Sequence, residues 1–213
     1  MELELKRGGR TARVETLGGE LVSYRDERGL EYIWGGDPAY WPGRNPLLFP
    51  IVGMLKEGKI RFDGREYAME RHGFARRREF TPAARGEDWV RLELRESAET
   101  LALYPYSFRL AVEQRLTDTG FSTAVTVANP GEGPLPFCLG AHTGFRCPLE
   151  AGERFEDYEL VFPERESCPT LLLRDGLLDR PAALPCLEDT DTLPLDYRWF
   201  DALDTLIFEG LRS

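Results

Sequence analysis

Residues 59–69 read KIRFDGREYAM, and this stretch gives the clearest indication of the fold. Two short runs, Lys59–Phe62 and Arg65–Met69, flank the dipeptide Asp63-Gly64. An Asp-Gly pair readily adopts the positive φ angles that a two-residue type I′ turn requires. The stretch therefore predicts an antiparallel β-hairpin.

Strand patterns continue on both sides of this hairpin. Gly18-Gly19 predicts a second tight turn, and a short helix is expected over Ser97–Leu103, which Tyr104-Pro105 would end. The other predicted strands are Glu2–Lys6, Ala12–Leu17, Glu20–Tyr24, Trp89–Leu94, Phe108–Leu116 and Phe121–Val127. No long stretch has sustained helical periodicity, so we expect one all-β domain over residues 1–213, a large antiparallel β-sandwich.

The composition argues against several classes of partner and site. The chain carries 37 acidic and 27 basic residues, a formal net charge of −10, which disfavours nucleic acid and anionic membranes as partners. Its four cysteines form no Cys-x-x-Cys pair, so a zinc site of usual spacing is not expected. No phosphate-loop or Gly-x-Gly-x-x-Gly motif occurs. No leader pattern or membrane-length apolar run is found, so we expect a cytoplasmic protein with mostly buried free thiols.

Both histidines of the chain lie in short motifs that contain glycine and phenylalanine. His72 lies in RHGFAR, residues 71–76, and His142 lies in GAHTGF, residues 140–145. Histidine has the unperturbed pKa nearest neutrality and is the commonest general acid or base. Either imidazole alone would be interpreted as an ordinary surface or core histidine. The similar surroundings of the pair favour one shared site.

A proline-rich segment, WPGRNPLLFPIVG at residues 41–53, predicts an irregular loop rather than a central strand. Arg44 in this loop has two interpretations. Its planar fork of donors suits ligand oxygens, and the same donors would equally anchor the loop through backbone carbonyls. Trp34 and Trp41 are expected to pack in the core, with stacking on a ligand ring as the alternative.

Four motifs occur in an order that resembles the aldose 1-epimerase (galactose mutarotase-like) family, and most of all its LacX-like bacterial branch. They are RNP at 44–46 with FP at 49–50, RHGFAR at 71–76, YP at 104–105 with Phe108, and GAHTGF at 140–145. The resemblance covers roughly residues 1–213, and the two histidine motifs together are its most specific part. It implies the family's large antiparallel β-sandwich and the interconversion of the α and β anomers of a hexose.

The resemblance implies roles for individual residues. His142 occupies the position of the general acid that protonates the pyranose ring oxygen. His72 occupies that of the histidine that contacts the sugar and supports the same proton transfer. Arg44 matches an arginine that lines the sugar site, and we place Asn45 beside it as a substrate-binding residue.

A late aspartate of the family binds sugar hydroxyls. Its nearest match here is Asp204, in DTLIF at residues 204–208, and Asp201 is the competing register. The resemblance implies a small-molecule sugar as the partner and neither a metal nor an organic cofactor.

The catalytic base departs from the family pattern. In the family it is a glutamate near the far C-terminus, often in Glu-Pro-Trp, and this chain contains no such tripeptide. We therefore expect the chain to lack its last strands and the base. Three explanations stay open: a truncated product with crippled activity, a short member that uses another carboxylate such as Glu209, or a sugar-binding protein without catalysis. An uncovered sheet edge or apolar face would favour a homodimer.

Other function classes also stay open. A glycoside hydrolase would need two carboxylates at a set separation, and no paired acidic motif is recognisable. A non-catalytic carbohydrate-binding protein on the same fold fits the visible acid without a base. A hexose-6-phosphate epimerase would use the guanidinium groups that follow His72. If residues 76–78 are extended, at most Arg76 and Arg78 face the site together.

Overall fold

The computed structural model describes residues 1–201 and 203–213, with the backbone alone for residues 180–186. The described chain divides into two compact units, Met1–Arg146 and Cys147–Ser213. The first unit contains strands β1 (Glu2–Arg7), β2 (Arg10–Glu15), β3 (Glu20–Arg25), β4 (Leu47–Leu48), β5 (Lys59–Phe62), β6 (Arg65–Ala68), β7 (Thr81–Arg85), β8 (Trp89–Arg95), β9 (Arg109–Leu116), β10 (Phe121–Ala128) and β11 (Gly140–Ala141). Helix α1 spans Ala98–Leu101, and 3-10 turns span Lys56–Gly58 and Ala75–Arg77.

Two antiparallel sheets provide about half of the first unit's core. One sheet has the order β1-β2-β3, and the other has the order β10-β9-β8-β7. Alternate residues of both sheets are buried in a single hydrophobic cluster, as two inner faces of a sandwich require. These residues include Leu3, Leu5, Ala12, Val14, Val90, Leu92, Leu110 and Val112. Full burial of such a side chain stabilises the fold by about 1.5–3 kcal/mol for the larger residues.

The predicted hairpins are confirmed. Strand β5 pairs with β6 in the register Phe62 opposite Arg65, and Asp63 and Gly64 have φ angles of 47° and 79°. Both angles are positive, as a type I′ turn requires. Strands β8, β9 and β10 also lie where the sequence predicts them. Strands β2 and β3 form the predicted hairpin around Gly18-Gly19, but its loop is four residues long, because β2 ends at Glu15, which pairs with Glu20.

Buried Gln114 of β9 ties the two sheets together. Its Nε2 donates to the carbonyl of Gly19 over 2.9 Å, and its Oε1 accepts from the hydroxyl of Thr123 over 2.6 Å. A buried amide is tolerated because both ends of its side chain have partners. The turn between β2 and β3 is thereby attached to the four-stranded sheet.

An aromatic cluster lies beneath the loops that carry the two histidines. Phe49, which follows β4, packs on Phe74 at a ring-centroid distance of 6.1 Å and on Phe108 at 5.2 Å. The fully buried Tyr104 joins the cluster and donates its hydroxyl to the carbonyl of Pro136 over 2.8 Å. Phe49 lies within segment 41–53, and Phe74 lies within the RHGFAR motif. Their packing in the core therefore anchors both of these candidate site segments.

The second unit is built on a long hairpin. It contains β12 (Glu159–Arg174), β13 (Leu177–Pro194) and β14 (Ile207–Phe208), in the order β13-β12-β14, with 3-10 turns over Phe155–Asp157 and Tyr197–Phe200. Buried Glu166 of β12 accepts from the backbone amides of Arg212 and Ser213 at 2.8–3.0 Å, and these hydrogen bonds lower the pKa of Glu166.

The all-β, antiparallel fold class is confirmed, because the named strands of both units pair antiparallel. The short helix is confirmed as α1, which Ser97 and Thr100 cap reciprocally. That the chain is a single domain stays a prediction. The expectation of mostly buried thiols is wrong for the described cysteines, since Cys138 is exposed, Cys147 is half-buried and Cys168 is buried. Among the described residues, no helix is long and apolar enough to cross a membrane.

Candidate functional site

The segment from residue 44 to residue 53 lies between the two histidine motifs in space. On one side, β4 pairs with β11, and the amide of His142 donates to the carbonyl of Pro46 over 3.1 Å. On the other side, Phe49 forms a parallel bridge with Gly73. The two imidazoles consequently meet, with ring centroids 5.8 Å apart. Because segment 44–53 contacts both histidine motifs, the structure supports the prediction that they share one site.

His72 occupies the left-handed region of backbone space, with φ of 66°, and Gly73 follows at 70°. Left-handed backbone is uncommon outside glycine. Gly73 also passes so close to the carbonyl of Phe49 that a Cβ at residue 73 would overlap that backbone. The glycine of the first histidine motif is therefore required both by its φ angle and by close approach.

Gly53 fixes the tautomer of His72. The Gly53 amide donates to Nδ1 of His72 over 3.0 Å, and the His72 amide donates to the Gly53 carbonyl over 2.8 Å. A backbone N–H can only donate, so Nδ1 must be the unprotonated nitrogen and Nε2 carries the proton. The ring therefore presents an N–H donor at Nε2.

The surroundings of His72 keep the ring neutral. Partial burial lowers the pKa of His72 below its usual value, and the positive charges of Arg76, His142 and Arg71 lower this pKa further. Desolvation and like charges both disfavour the imidazolium. Near neutral pH, His72 is therefore uncharged and can donate a hydrogen bond from Nε2.

His142 has a different environment. Its side chain is exposed, and the indole of Trp41 lies against it with ring centroids 4.9 Å apart. The carbonyl of Arg44 accepts from the amide of Gly144 over 2.6 Å, which continues the pairing of the two segments past His142. The second imidazole is thereby accessible and faces the first.

Glu20, at the start of β3, holds the loop that contains Arg44 and Asn45. Its Oε1 accepts from the amide of Arg44 over 3.0 Å and from that of Asn45 over 2.6 Å. The carbonyl oxygen of the Asn45 side chain accepts from the hydroxyl of Thr143 over 2.6 Å, which joins this loop to the His142 motif. Sequence analysis missed Glu20, because nothing in its local pattern distinguishes it from a solvated strand-end carboxylate.

Arg44 lies in the same loop as predicted, and its side chain contacts protein oxygens. Its Nε donates to the carbonyl of Gly35 over 3.3 Å, and Nη1 lies 4.0 Å from Oε1 of Glu15. The loop-anchoring interpretation of Arg44 is thereby supported. Its remaining donors leave a role in ligand binding as a prediction.

The known proteins most informative for this chain agree on its family. A sequence model described as aldose 1-epimerase matches residues 1–179. This chain belongs to the aldose 1-epimerase family. Two LacX proteins of Lactococcus lactis subsp. lactis, plasmid and chromosomal, are 40% and 39% identical to it over 221 aligned residues. Each alignment covers the whole of this chain and 74% of the relative.

Solved structures of the family support the same conclusion. A galactose mutarotase related enzyme from Lactobacillus acidophilus superposes with a TM-score of 0.91 at 27% identity, over 99% of this chain and 70% of that one. A galactose mutarotase-like protein from Lactobacillus casei gives a TM-score of 0.80 at 31% identity, over 92% and 67%. The family and the galactose mutarotase-like fold inferred from four motifs are confirmed.

Of the site residues expected for an aldose 1-epimerase, the first unit brings together His72, His142, Arg44 and Asn45. The fifth, Asp204, is an exposed residue of the second unit, shortly before β14. Asp201, the competing register, ends the 3-10 turn at residues 197–200. The roles of all these residues on the sugar stay predictions. Among the described residues, no group of three or more His, Cys, Asp or Glu side chains is arranged to hold a metal ion.

Two expectations about neighbouring residues are wrong. Residues 75–77 form a 3-10 turn, so Arg76 and Arg78 are not alternate residues of an extended segment. Arg78 pairs instead with Glu99 of α1. Trp34 and Trp41 are half-buried and outside the described hydrophobic core, and both lie in stretches without regular secondary structure, residues 34–37 and 41–43.

Proposed function

We propose that this member of the family binds a hexose beside the two histidines and interconverts its α and β anomers. The observation that carries the proposal is the histidine pair. The His142 ring is accessible, and its centroid lies 5.8 Å from that of the His72 ring, whose tautomer is fixed by Gly53. Mutarotation needs one proton delivered to the ring oxygen and one removed from the anomeric hydroxyl. Histidine suits such transfers near neutral pH, and each is worth about 10²–10⁴-fold in rate.

In the proposed reaction, His142 gives its proton to the ring oxygen as the bond between that oxygen and C1 breaks. The anomeric hydroxyl loses its proton to a base and becomes the aldehyde oxygen. Rotation about the C1–C2 bond then presents the other face of the aldehyde, and ring closure reverses both proton transfers. His72 donates from Nε2 to a sugar oxygen and orients it. Arg44, Asn45 and Asp204 are proposed to bind sugar hydroxyls.

The base divides the proposal into two forms. The sequence contains no Glu-Pro-Trp tripeptide, and the lack of the family's base stays a prediction. In the first form of the proposal, another carboxylate takes the anomeric proton. In the second form the chain binds sugar without turnover. Both forms keep the same binding residues, and they differ in whether the anomers equilibrate faster than in water.

Polarimetry on freshly dissolved α-glucose and α-galactose, with the wild-type chain beside His142→Gln, separates the two forms. Acceleration that disappears in the variant supports the catalytic form. No acceleration, together with saturable sugar-induced NMR shifts, supports the binding form. Neither acceleration nor shifts would refute both. The exposed position of His142 means that the variant should keep its stability within about 0.5 kcal/mol.

One observation favours a phosphorylated hexose as a second candidate substrate. Arg76, four residues after His72, donates from Nη2 to the carbonyl of Arg71 over 2.8 Å. The Nε atoms of Arg76 and Arg78 are both buried without a partner, but among the described residues Arg76 forms no ion pair, whereas Arg78 pairs with Glu99. A guanidinium without a carboxylate, next to the candidate site, suits a phosphate.

Arg76→Ala should therefore weaken binding of glucose 6-phosphate far more than binding of glucose. Arg78→Ala is the matched control, because Arg78 is already paired with Glu99 and should affect neither ligand. Equal losses of both ligands in Arg76→Ala would refute the phosphate candidate.

The homodimer is also proposed rather than shown. Light scattering on the purified chain tests it, because a monomer has a mass of 24.3 kDa. A monomer mass at every concentration would remove the dimer from the proposal.

A further inference from the structure

The indole of Trp41 makes the closest ring contact of the described residues with His142. The ring centroids lie 4.9 Å apart, with the planes tilted by 58°. The other ring beside His142, that of His72, lies at 5.8 Å. Trp41 thus covers one side of an otherwise exposed catalytic candidate.

Two glycines make room for this indole. A Cβ at Gly43 would lie 2.6 Å from Cζ2 of Trp41, and a Cβ at Gly144 would lie 2.7 Å from Cζ3. Neither glycine has the positive φ that would by itself favour glycine. At Gly43 the requirement is therefore space for the indole. At Gly144, in the second histidine motif, it is space for the indole and also for the Arg44 carbonyl and the Trp34 Cβ, each 3.0 Å from a Cβ at that position.

The backbone of Trp41 is held on both sides. Its amide donates to the carbonyl of Asp37 over 2.8 Å, and its carbonyl accepts from Nε1 of Trp34 over 2.8 Å. These hydrogen bonds hold the backbone from which the indole projects, and the two glycines leave the space that the indole occupies beside His142.

We propose that Trp41 is a positioning residue for His142. An exposed imidazole on a short loop samples several rotamers, whereas proton transfer to a ring oxygen needs one orientation. The indole restricts His142 to the orientation that faces His72. The catalytic part of this inference rests on the proposed function, and the restriction of His142 does not.

Histidine NMR tests the restriction directly, because the chain contains two histidines and hence two imidazole Cε1–H signals. His72→Asn removes one signal and assigns the other to His142. In Trp41→Leu, the His142 signal should shift as the indole ring current is lost, and the His72 signal should shift as the His142 ring leaves its position 5.8 Å away. A His72 signal that stays in place would mean that the indole contacts His142 without restricting it. Trp41→Phe keeps an aromatic ring and should recover part of the shift. Trp89→Leu, in β8, is the matched control and should move neither signal.

Activity gives the second readout. Trp41→Leu should lower kcat about tenfold or more and change KM by less than about twofold, since misplacing an acid affects the transition state more than binding. Trp41→Phe should recover part of kcat. A His142 signal that is unchanged in Trp41→Leu would overturn the inference, and so would an unchanged kcat.

The two proposals fail in distinguishable ways. A wild-type chain with neither anomerase activity nor sugar-induced shifts would refute the proposed function, and with it the catalytic role of Trp41. The His72 signal of Trp41→Leu would still decide whether the indole restricts the imidazole of His142 to the orientation that faces His72. Gly43→Ala offers an independent check, because the three atoms nearest to a methyl group there all belong to the indole of Trp41, so the methyl group should displace the indole and shift the same signals.

Discussion

Gly53 and His72 exchange two hydrogen bonds, one between backbone groups and one from the Gly53 amide to Nδ1 of the imidazole, at 2.8 and 3.0 Å. The second bond exists only while Nδ1 is unprotonated, so the fold and the protonation state of His72 depend on each other. The pKa of His72 is lowered, first by burial and then by neighbouring positive charges. This shift also favours the unprotonated ring that the hydrogen bond requires.

The free energy of unfolding should therefore decrease as the pH is lowered, because of His72. Its folded pKa lies below its usual value of 6.5, so the unfolded chain binds more protons as the pH falls below that value. The contribution of His72 is fully present above pH 6.5 and is lost as the pH falls through the folded pKa. Urea unfolding at about pH 7.5 and about pH 5.5 should show a larger loss for wild type than for His72→Asn. Parallel losses in the two proteins would contradict this prediction.

Gly73→Ala should destabilise the first unit strongly. A left-handed alanine costs about 1–2 kcal/mol, and the overlap of its Cβ with the Phe49 backbone adds about 1–3 kcal/mol. Gly64→Ala is the matched control, because Gly64 has φ of 79° with open space around its Cβ position. Chemical denaturation should show the larger loss for Gly73→Ala; equal losses would mean that close approach to Phe49 has no energetic role.

Glu20→Ala should loosen the loop of Arg44 and Asn45. Two partly buried amides would lose their acceptor, at a cost of about 1–3 kcal/mol, and we expect the KM for sugar to rise. Glu20→Gln keeps an acceptor oxygen and should retain most of the stability. Glu66→Ala removes an exposed carboxylate with two cationic partners and should change stability little, because solvent screens such ion pairs. A Glu20→Ala protein as stable as Glu66→Ala would refute the anchoring role.

Asp204→Asn should weaken sugar binding, and Asp201→Asn should not. The prediction rests on the family resemblance, which aligns Asp204 with an aspartate that binds sugar hydroxyls. Saturation of sugar-induced NMR shifts measures both variants, and their unfolding curves serve as the folding control. Weaker binding in Asp201→Asn alone would assign the role to the competing register.

Much of the fold could be predicted because its signals are local. The Asp63-Gly64 turn, the Gly18-Gly19 turn and the short helix that Tyr104-Pro105 ends depend on residues within a few positions of one another. The 3-10 turn at residues 75–77 was missed for the opposite reason. Its backbone follows from the amides of Phe74 and Ala75, which both donate to the carbonyl of Phe49, a contact that no local pattern announces.

The amino-acid sequence by itself determined the strand pattern, the family motifs and the choice of His72 and His142 as a pair. Only the tertiary structure decided that segment 44–53 joins their motifs, that Gly53 locks one tautomer, and that Trp41 lies against the other ring. The physical reason is distance along the chain. Turn chemistry and alternation act between near neighbours, whereas the site is assembled by pairing β4 with β11 across more than ninety residues, from Leu48 to Gly140.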